Sequence, residues 1–186
     1  MLAKQVELVG DGPRDQIVLI GQQDSCVRMI TNMALVHNLT IRGQARMRAT
    51  VDVPQGQLVM DECTITSETG VCIHIHNQNT RPIVQRCIIR GSQQAGIFIS
   101  DQGGGSIEDC DIFANATAGI GVTTRGAPVV RGCKIHDGEG NGISVSEQGA
   151  GTFEDCETFG NQGRGLYMGR EVYPGLCCKE KADLLQ

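Results

Sequence analysis

Between Pro82 and Gly169 apolar and polar residues alternate in short runs, and the runs recur. Cys87, Cys110, Cys133 and Cys156 are spaced 23 residues apart at each step. Three residues before each stands Val84, Ile107, Val130 or Phe153, and two residues after it stands Ile89, Ile112, Ile135 or, as the exception, Thr158. Nine residues after it comes Gly96, Gly119, Gly142 or Gly165, each followed by an apolar-x-apolar triplet such as Ile97/Ile99 or Ile120/Val122. Met60, Cys63, Ile65, Gly70 and Val71/Ile73 form a looser copy upstream. Period-two alternation places alternate side chains on opposite sides of a strand. Self-similarity at this length marks a repeat architecture.

Each repeat holds three strands of three to five residues, separated by Gly, Asn, Asp and Ser. No sustained helical stripe runs through it, which excludes helical and leucine-rich solenoids. Three strands and three turns make one triangular coil, and stacked coils pair in parallel at about 4.8 Å. The expected fold is all-β: a single-stranded right-handed parallel β-helix of about six to seven coils. Its hand follows the general preference for right-handed parallel crossovers.

The chain is expected to be one domain, residues 1–186. Residues 1–57 read as irregular early coils. There Val6–Val9, Ile17–Ile20 and Cys26–Ile30 are strand-like, Val36, Leu39 and Ile41 match the repeat columns, and Ala49, Val51 and Val53 supply the next face. Residues 58–170 carry the regular repeats. Residues 171–186 read as a cap or a truncated coil: Pro174 opens another coil, Lys179 falls where the ladder cysteine belongs, and Lys179–Leu185 suits a short capping helical turn.

Composition adds limits. Glycine is abundant at 25 residues and tryptophan is absent, as a narrow aliphatic interior with tight corners requires. The net charge of −5 leaves no basic footprint for nucleic acid or an anionic membrane, and no apolar run is long enough to span a bilayer. The first residues carry charge inside a short apolar run, unlike a secretory leader. Of the nine cysteines, five form the inward column, where a free thiol acts as a small hydrophobe. A reduced ladder is therefore expected, in a reducing, cytoplasmic compartment.

Function must sit on outward positions. The residues just before the ladder alternate in sign (Glu108, Arg131, Glu154 and Glu62, Arg86, Asp109), which reads as stacked ion pairs. Asp109, Asp111 and Asp155, with Lys134-x-His136-Asp137, are the acids a polysaccharide lyase or hydrolase would use. They occupy repeat-equivalent positions, however, and aromatic platforms for sugar are scarce. No catalytic residue, metal site or cofactor is expected. His74 and His76 share one side of a strand and read as solvent-facing, with no third ligand evident. Asn115 and Asn161 read as turn residues able to take a left-handed conformation. The candidate binding stripe is Arg90, Phe113, His136 and Phe159, one column of successive coils, since exposed aromatics and arginine favour protein interfaces. The two phenylalanines could instead pack over a corner.

The phrases Arg-Gly-Cys-Lys-Ile-His-Asp-Gly (131–138), Gly-Thr-Phe-Glu-Asp-Cys-Glu (151–157) and Asp-Cys-Asp-Ile-Phe-Ala-Asn-Ala-Thr-Ala-Gly-Ile (109–120) resemble the β-helix repeats of F-box-only ubiquitin-ligase subunits. These repeats are also called carbohydrate-binding/sugar-hydrolase repeats and have bacterial relatives. The likeness covers residues 58–170 well and 5–57 weakly, and nothing in the chain resembles an F-box helical bundle. It implies a substrate-recognition or scaffold domain. The reading is thus a non-catalytic module that binds a protein partner through an outer face. A carbohydrate-binding or carbohydrate-degrading β-helix is the alternative, and a structural module stacking end to end with itself is the third reading.

Overall fold

The apolar-x-apolar triplets form strands that never pair with their chain neighbours. Each pairs in parallel with its equivalent one coil away. The computed structural model describes residues 5–172 and the backbone of Cys177–Lys179. Three parallel sheets run the length of the stack, with eight, seven and seven strands. The first contains Glu7–Val9, Met33–His37, Gln57–Asp61, Ile83–Gln85, Gly104–Glu108, Ala127–Arg131, Thr152–Glu154 and Cys177–Lys179. The second contains Val18–Gly21, Thr40–Gly43, Thr64–Ser67, Ile88–Arg90, Asp111–Phe113, Lys134–His136 and Glu157–Phe159. The third contains Val27–Arg28, Val51–Val53, Ile73–Ile75, Ala95–Ile99, Ala118–Val122, Asn141–Val145 and Leu166–Met168. The chain visits the sheets in that order in every coil, giving a right-handed solenoid of about seven coils. Among the described residues, no helix is long and apolar enough to cross a membrane.

Register turns the repeat columns into continuous interior files. Ile41, Ile65, Ile89, Ile112 and Ile135 are paired in series and each is 0% exposed. The early coils obey the same register, Val36 opposite Met60 and Val51 opposite Ile73. Cys63, Cys87, Cys110, Cys133 and Cys156 are buried free thiols, so the expected reduced ladder is present. Each donates to backbone oxygen, Cys110 Sγ lying 3.5 Å from the Val84 carbonyl and 3.3 Å from that of Glu108. Hydrogen bonding between neighbouring sulfurs, and then burial, pushes Cys63, Cys110 and Cys156 up. Cys72, outside the ladder, is also fully buried, and burial pushes its thiol up to about 12.

The corners explain residues that the sequence reading had assigned to charge alone. The position just before the ladder is left-handed in coil after coil: Asn38, Glu62, Arg86, Asp109, Gly132 and Asp155, with φ between 50° and 61°. Glycine at 132 takes the same conformation without strain, and a Cβ there would lie 2.4 Å from Asp109 Oδ1, so a larger residue would make that exposed carboxylate turn away. One ion pair of each expected alternation forms across this corner, Arg131 Nε to Glu154 Oε2 at 2.7 Å and Arg86 Nε to Glu62 Oε1 at 3.4 Å, while Glu108 accepts a hydrogen bond from Ser106.

At the second corner the left-handed residue is Gly91, Ala114, Asp137 or Gly160, not the asparagine that follows. Asn115 is instead a buried rung. Its Oδ1 accepts from the Ser92 amide at 3.1 Å and its Nδ2 donates to the Ile89 carbonyl at 3.4 Å. Asn161 repeats this with the Gly138 amide and the Ile135 carbonyl, both at 3.0 Å. The turn reading of these two asparagines is corrected accordingly. The third corner is a stack of tight turns with two successive left-handed residues, Asp101–Gln102, Thr124–Arg125 and Glu147–Gln148. Each is closed by a bond such as Gly126 N to Thr123 O, 2.8 Å.

One register expectation also changes. Lys179 pairs with Glu154 and Cys178 with Phe153, so the last strand continues the first sheet and Lys179 lies two positions short of the ladder column. Pro174 and residues 180–185 of the expected Lys179–Leu185 cap lie outside the described residues, and the backbone of Lys179 is strand, not helical turn.

Candidate functional site

Parallel in-register pairing stacks identical columns about 4.8 Å apart, close to the contact distance of two aromatic rings. On the outer face of the second sheet, Arg90, Phe113, His136 and Phe159 are paired in series. Their side chains form one file. The Phe113 and His136 centroids are 5.1 Å apart at 13°, and those of His136 and Phe159 are 4.6 Å apart at 4°. Arg90 Cζ sits 5.9 Å from the Phe113 centroid. All four predicted residues thus come together, and the phenylalanines stack on the sheet face instead of packing over a corner. Thr66 and Arg42 extend the column toward the first coils.

His136 is the fixed point of the file. Its Nε2 meets Asp111 Oδ1 at 2.9 Å and its Nδ1 meets Asp137 Oδ2 at 2.8 Å. Burial works against a charge on this ring, but the hydrogen bonds to Asp137 and Asp111 outweigh it and raise the imidazole above its ordinary value. A cationic ring between two phenyl faces is a favourable sandwich. Because the folded value is raised, this stabilisation is complete below the unfolded value and is lost as pH rises through the folded one. In an NMR titration His136 is expected to deprotonate later than an ordinary histidine. Asp111→Asn/Asp137→Asn should bring it back to or below the ordinary value. A wild-type His136 titrating at or below that value would contradict the geometry.

The acids considered for catalysis have structural explanations in the same region. Asp109 and Asp155 occupy the left-handed corner, and Asp111 and Asp137 hold His136.

The third sheet carries a cluster that the sequence reading only half recovered. His74 and His76 are half-buried and stacked, with centroids 4.3 Å apart at 20°. They are not free in solvent: His76 Nε2 lies 2.9 Å from Asp52 Oδ1 and His74 Nε2 lies 3.1 Å from Ser100 Oγ. Burial first, then the neighbouring His76, lowers His74 to about 4. Asp52 is the third group that the sequence reading missed. The signal was present, because aligning Val51 and Val53 with Ile73 and Ile75 puts Asp52 directly opposite His74.

Among the described residues there are also two surface hollows of about 370 Å³ each. One follows the third corner and is lined by Asp101, Gln102, Arg125, Glu147, Gln148 and Glu171 among others. The other lies on the first sheet between Arg81 and Arg131, over the outward, half-buried Ile83 and Val129.

Comparison with known proteins agrees with this architecture. Residues 25–172 match the family model described as "Right handed beta helix region". No curated protein and no solved structure matches the chain. The matched span covers most of the sequence, from the third-sheet strand of the first coil to the last full coil, and the chain belongs to the right-handed β-helix family.

Proposed function

We propose that this protein is a non-catalytic β-solenoid that binds a protein partner through the outer face of its second sheet. The observation that carries this reading is the file Arg90–Phe113–His136–Phe159, an arginine and three rings on consecutive strands. Rings held by stacking on a rigid sheet have already lost their rotamer freedom, so little remains to be lost on association. Arginine and aromatic side chains dominate interface energetics, and polar neighbours such as Lys134 and Glu157 on the adjoining column supply a charged rim. Phe159, 49% exposed, is the most accessible ring.

Ring orientation favours protein over sugar. A pyranose packs on the open face of an aromatic ring. Here both faces of His136 are covered by its neighbours and Phe113 lies between His136 and Arg90, so among the described residues only Phe159, at the end of the sheet, has a ring face without a stacking partner. The second reading, a carbohydrate ligand, draws on the third-corner groove with its acids and amides. These groups partly satisfy one another, as in Thr123 Oγ1 to Glu147 Oε2 at 2.8 Å and Arg125 Nε to Gln148 Oε1 at 2.9 Å.

Affinity capture from native lysate, run beside a glycan array, separates the two. A defined protein partner with a silent array is the expected result. Binding on the array with no protein captured would overturn the proposal.

A further inference from the structure

The structure assigns a second, separate role to the third sheet: we infer that Asp52, His74 and His76 form a binding site for a divalent transition-metal ion of the zinc type. One ligand atom from each of the three residues can be chosen so that all lie within 4.8 Å of one another. Donor atoms bound to a single tetrahedral ion at about 2.0–2.1 Å stand roughly 3.4 Å apart, so modest side-chain rotation closes the set. His-x-His on a strand is well suited to this, since period-two alternation puts both imidazoles on one side while Ile73 and Ile75 anchor the backbone from within. Asp52 comes from the neighbouring strand, opposite His74.

The surroundings orient the donors. Arg28 Nε lies 3.3 Å from Asp52 Oδ2, which leaves Oδ1 directed at His76. Ser100, itself buried, touches His74 Nε2 and is joined in turn to Asp101 Oδ2 at 3.0 Å. Outer partners of this kind fix ring orientation and raise metal affinity. Phe98, with its centroid 5.3 Å from that of His74, forms an apolar wall. Two imidazoles and one carboxylate select zinc and its transition-metal neighbours over calcium or magnesium, which require an all-oxygen shell. Three protein ligands leave at least one coordination position for water or for a donor from a bound molecule.

The test uses the full chain, stripped with a chelator and titrated with Zn²⁺ at neutral pH, followed by calorimetry and by the histidine ring resonances. One Zn²⁺ per chain is expected, with the His74 and His76 rings shifting and those of His37 and His136 staying in place. Ca²⁺ should leave all four rings unmoved. His74→Ala/His76→Ala should lose the bound equivalent while keeping the β-sheet circular dichroism of the wild type, and Asp52→Asn should bind more weakly. Zinc that leaves the His74 and His76 rings unshifted would overturn the assignment, and so would an equivalent that survives in the double variant. If the double variant fails to fold, the wild-type ring shifts decide alone.

Discussion

Replacing Ile112 with alanine lowers stability by about 2–5 kcal/mol, the range for truncating a fully buried isoleucine. Ile112 is 0% exposed and lies in register between Ile89 and Ile135. In a stack held by nearest-neighbour contacts, a cavity in a middle coil weakens the interfaces on both sides of it. The interior cannot close over the gap easily, because the backbone spacing is set by the hydrogen-bond ladders of three sheets. Urea denaturation should therefore show a lower midpoint, and a broadened or split transition if the halves uncouple. The outward-facing Thr64, two strands away on the same sheet, is the control, and Thr64→Ala should change stability by no more than about 0.5 kcal/mol. Equal effects from the two substitutions would mean that the isoleucine file is not the interior.

Asn115→Ala is expected to be nearly as damaging for a different reason. The amide is 1% exposed and bridges the Ser92 N–H and the Ile89 carbonyl of the preceding coil. Truncation leaves the Ser92 amide buried without its partner, at about 1–3 kcal/mol, and removes the Asn115 bond to the Ile89 carbonyl. Asn115→Asp restores the acceptor for Ser92, but only its protonated form offers an O–H donor to Ile89, so it should recover part of the loss at low pH and less once the buried carboxylate is forced to ionise. Hydrogen exchange at the Ser92 amide reads the local effect. Unchanged protection there, together with unchanged stability, would contradict the buried-rung assignment. Asn161→Ala, at a more open position, should cost less.

Much of the architecture was legible because each level of the sequence repeats the same instruction. Cysteine, isoleucine and glycine columns at a fixed spacing define strands, interior and stacking axis together, and the register confirms them coil by coil. The file Arg90–Phe113–His136–Phe159 was readable for the same reason, since in-register pairing turns one column of the repeat into a line of touching side chains. The misses share a cause too. Asparagine suits both a left-handed corner and a buried amide rung, and only the backbone shows that Ala114 or Gly160 takes the left-handed place. Asp52 lies in an irregular coil, where no cysteine marks the column, so its alignment with His74 rested on two valines alone. Lys179 was displaced because the final coil is longer than the repeat, Cys177 pairing with Thr152. The alternating charges beside the ladder obscured a conformational requirement, because glutamate and arginine there accept a positive φ that sequence statistics disfavour.

The claim that the second sheet carries recognition is tested most directly by cross-linking from three faces. A photoreactive phenylalanine analogue is placed in turn at Phe159 on the second sheet, Thr152 on the first and Tyr167 on the third, in the presence of the captured partner. The account predicts covalent adducts from position 159, lost when Phe113 and His136 are both changed to serine, and none from positions 152 or 167. Adducts from 152 or 167 with none from 159 would contradict it.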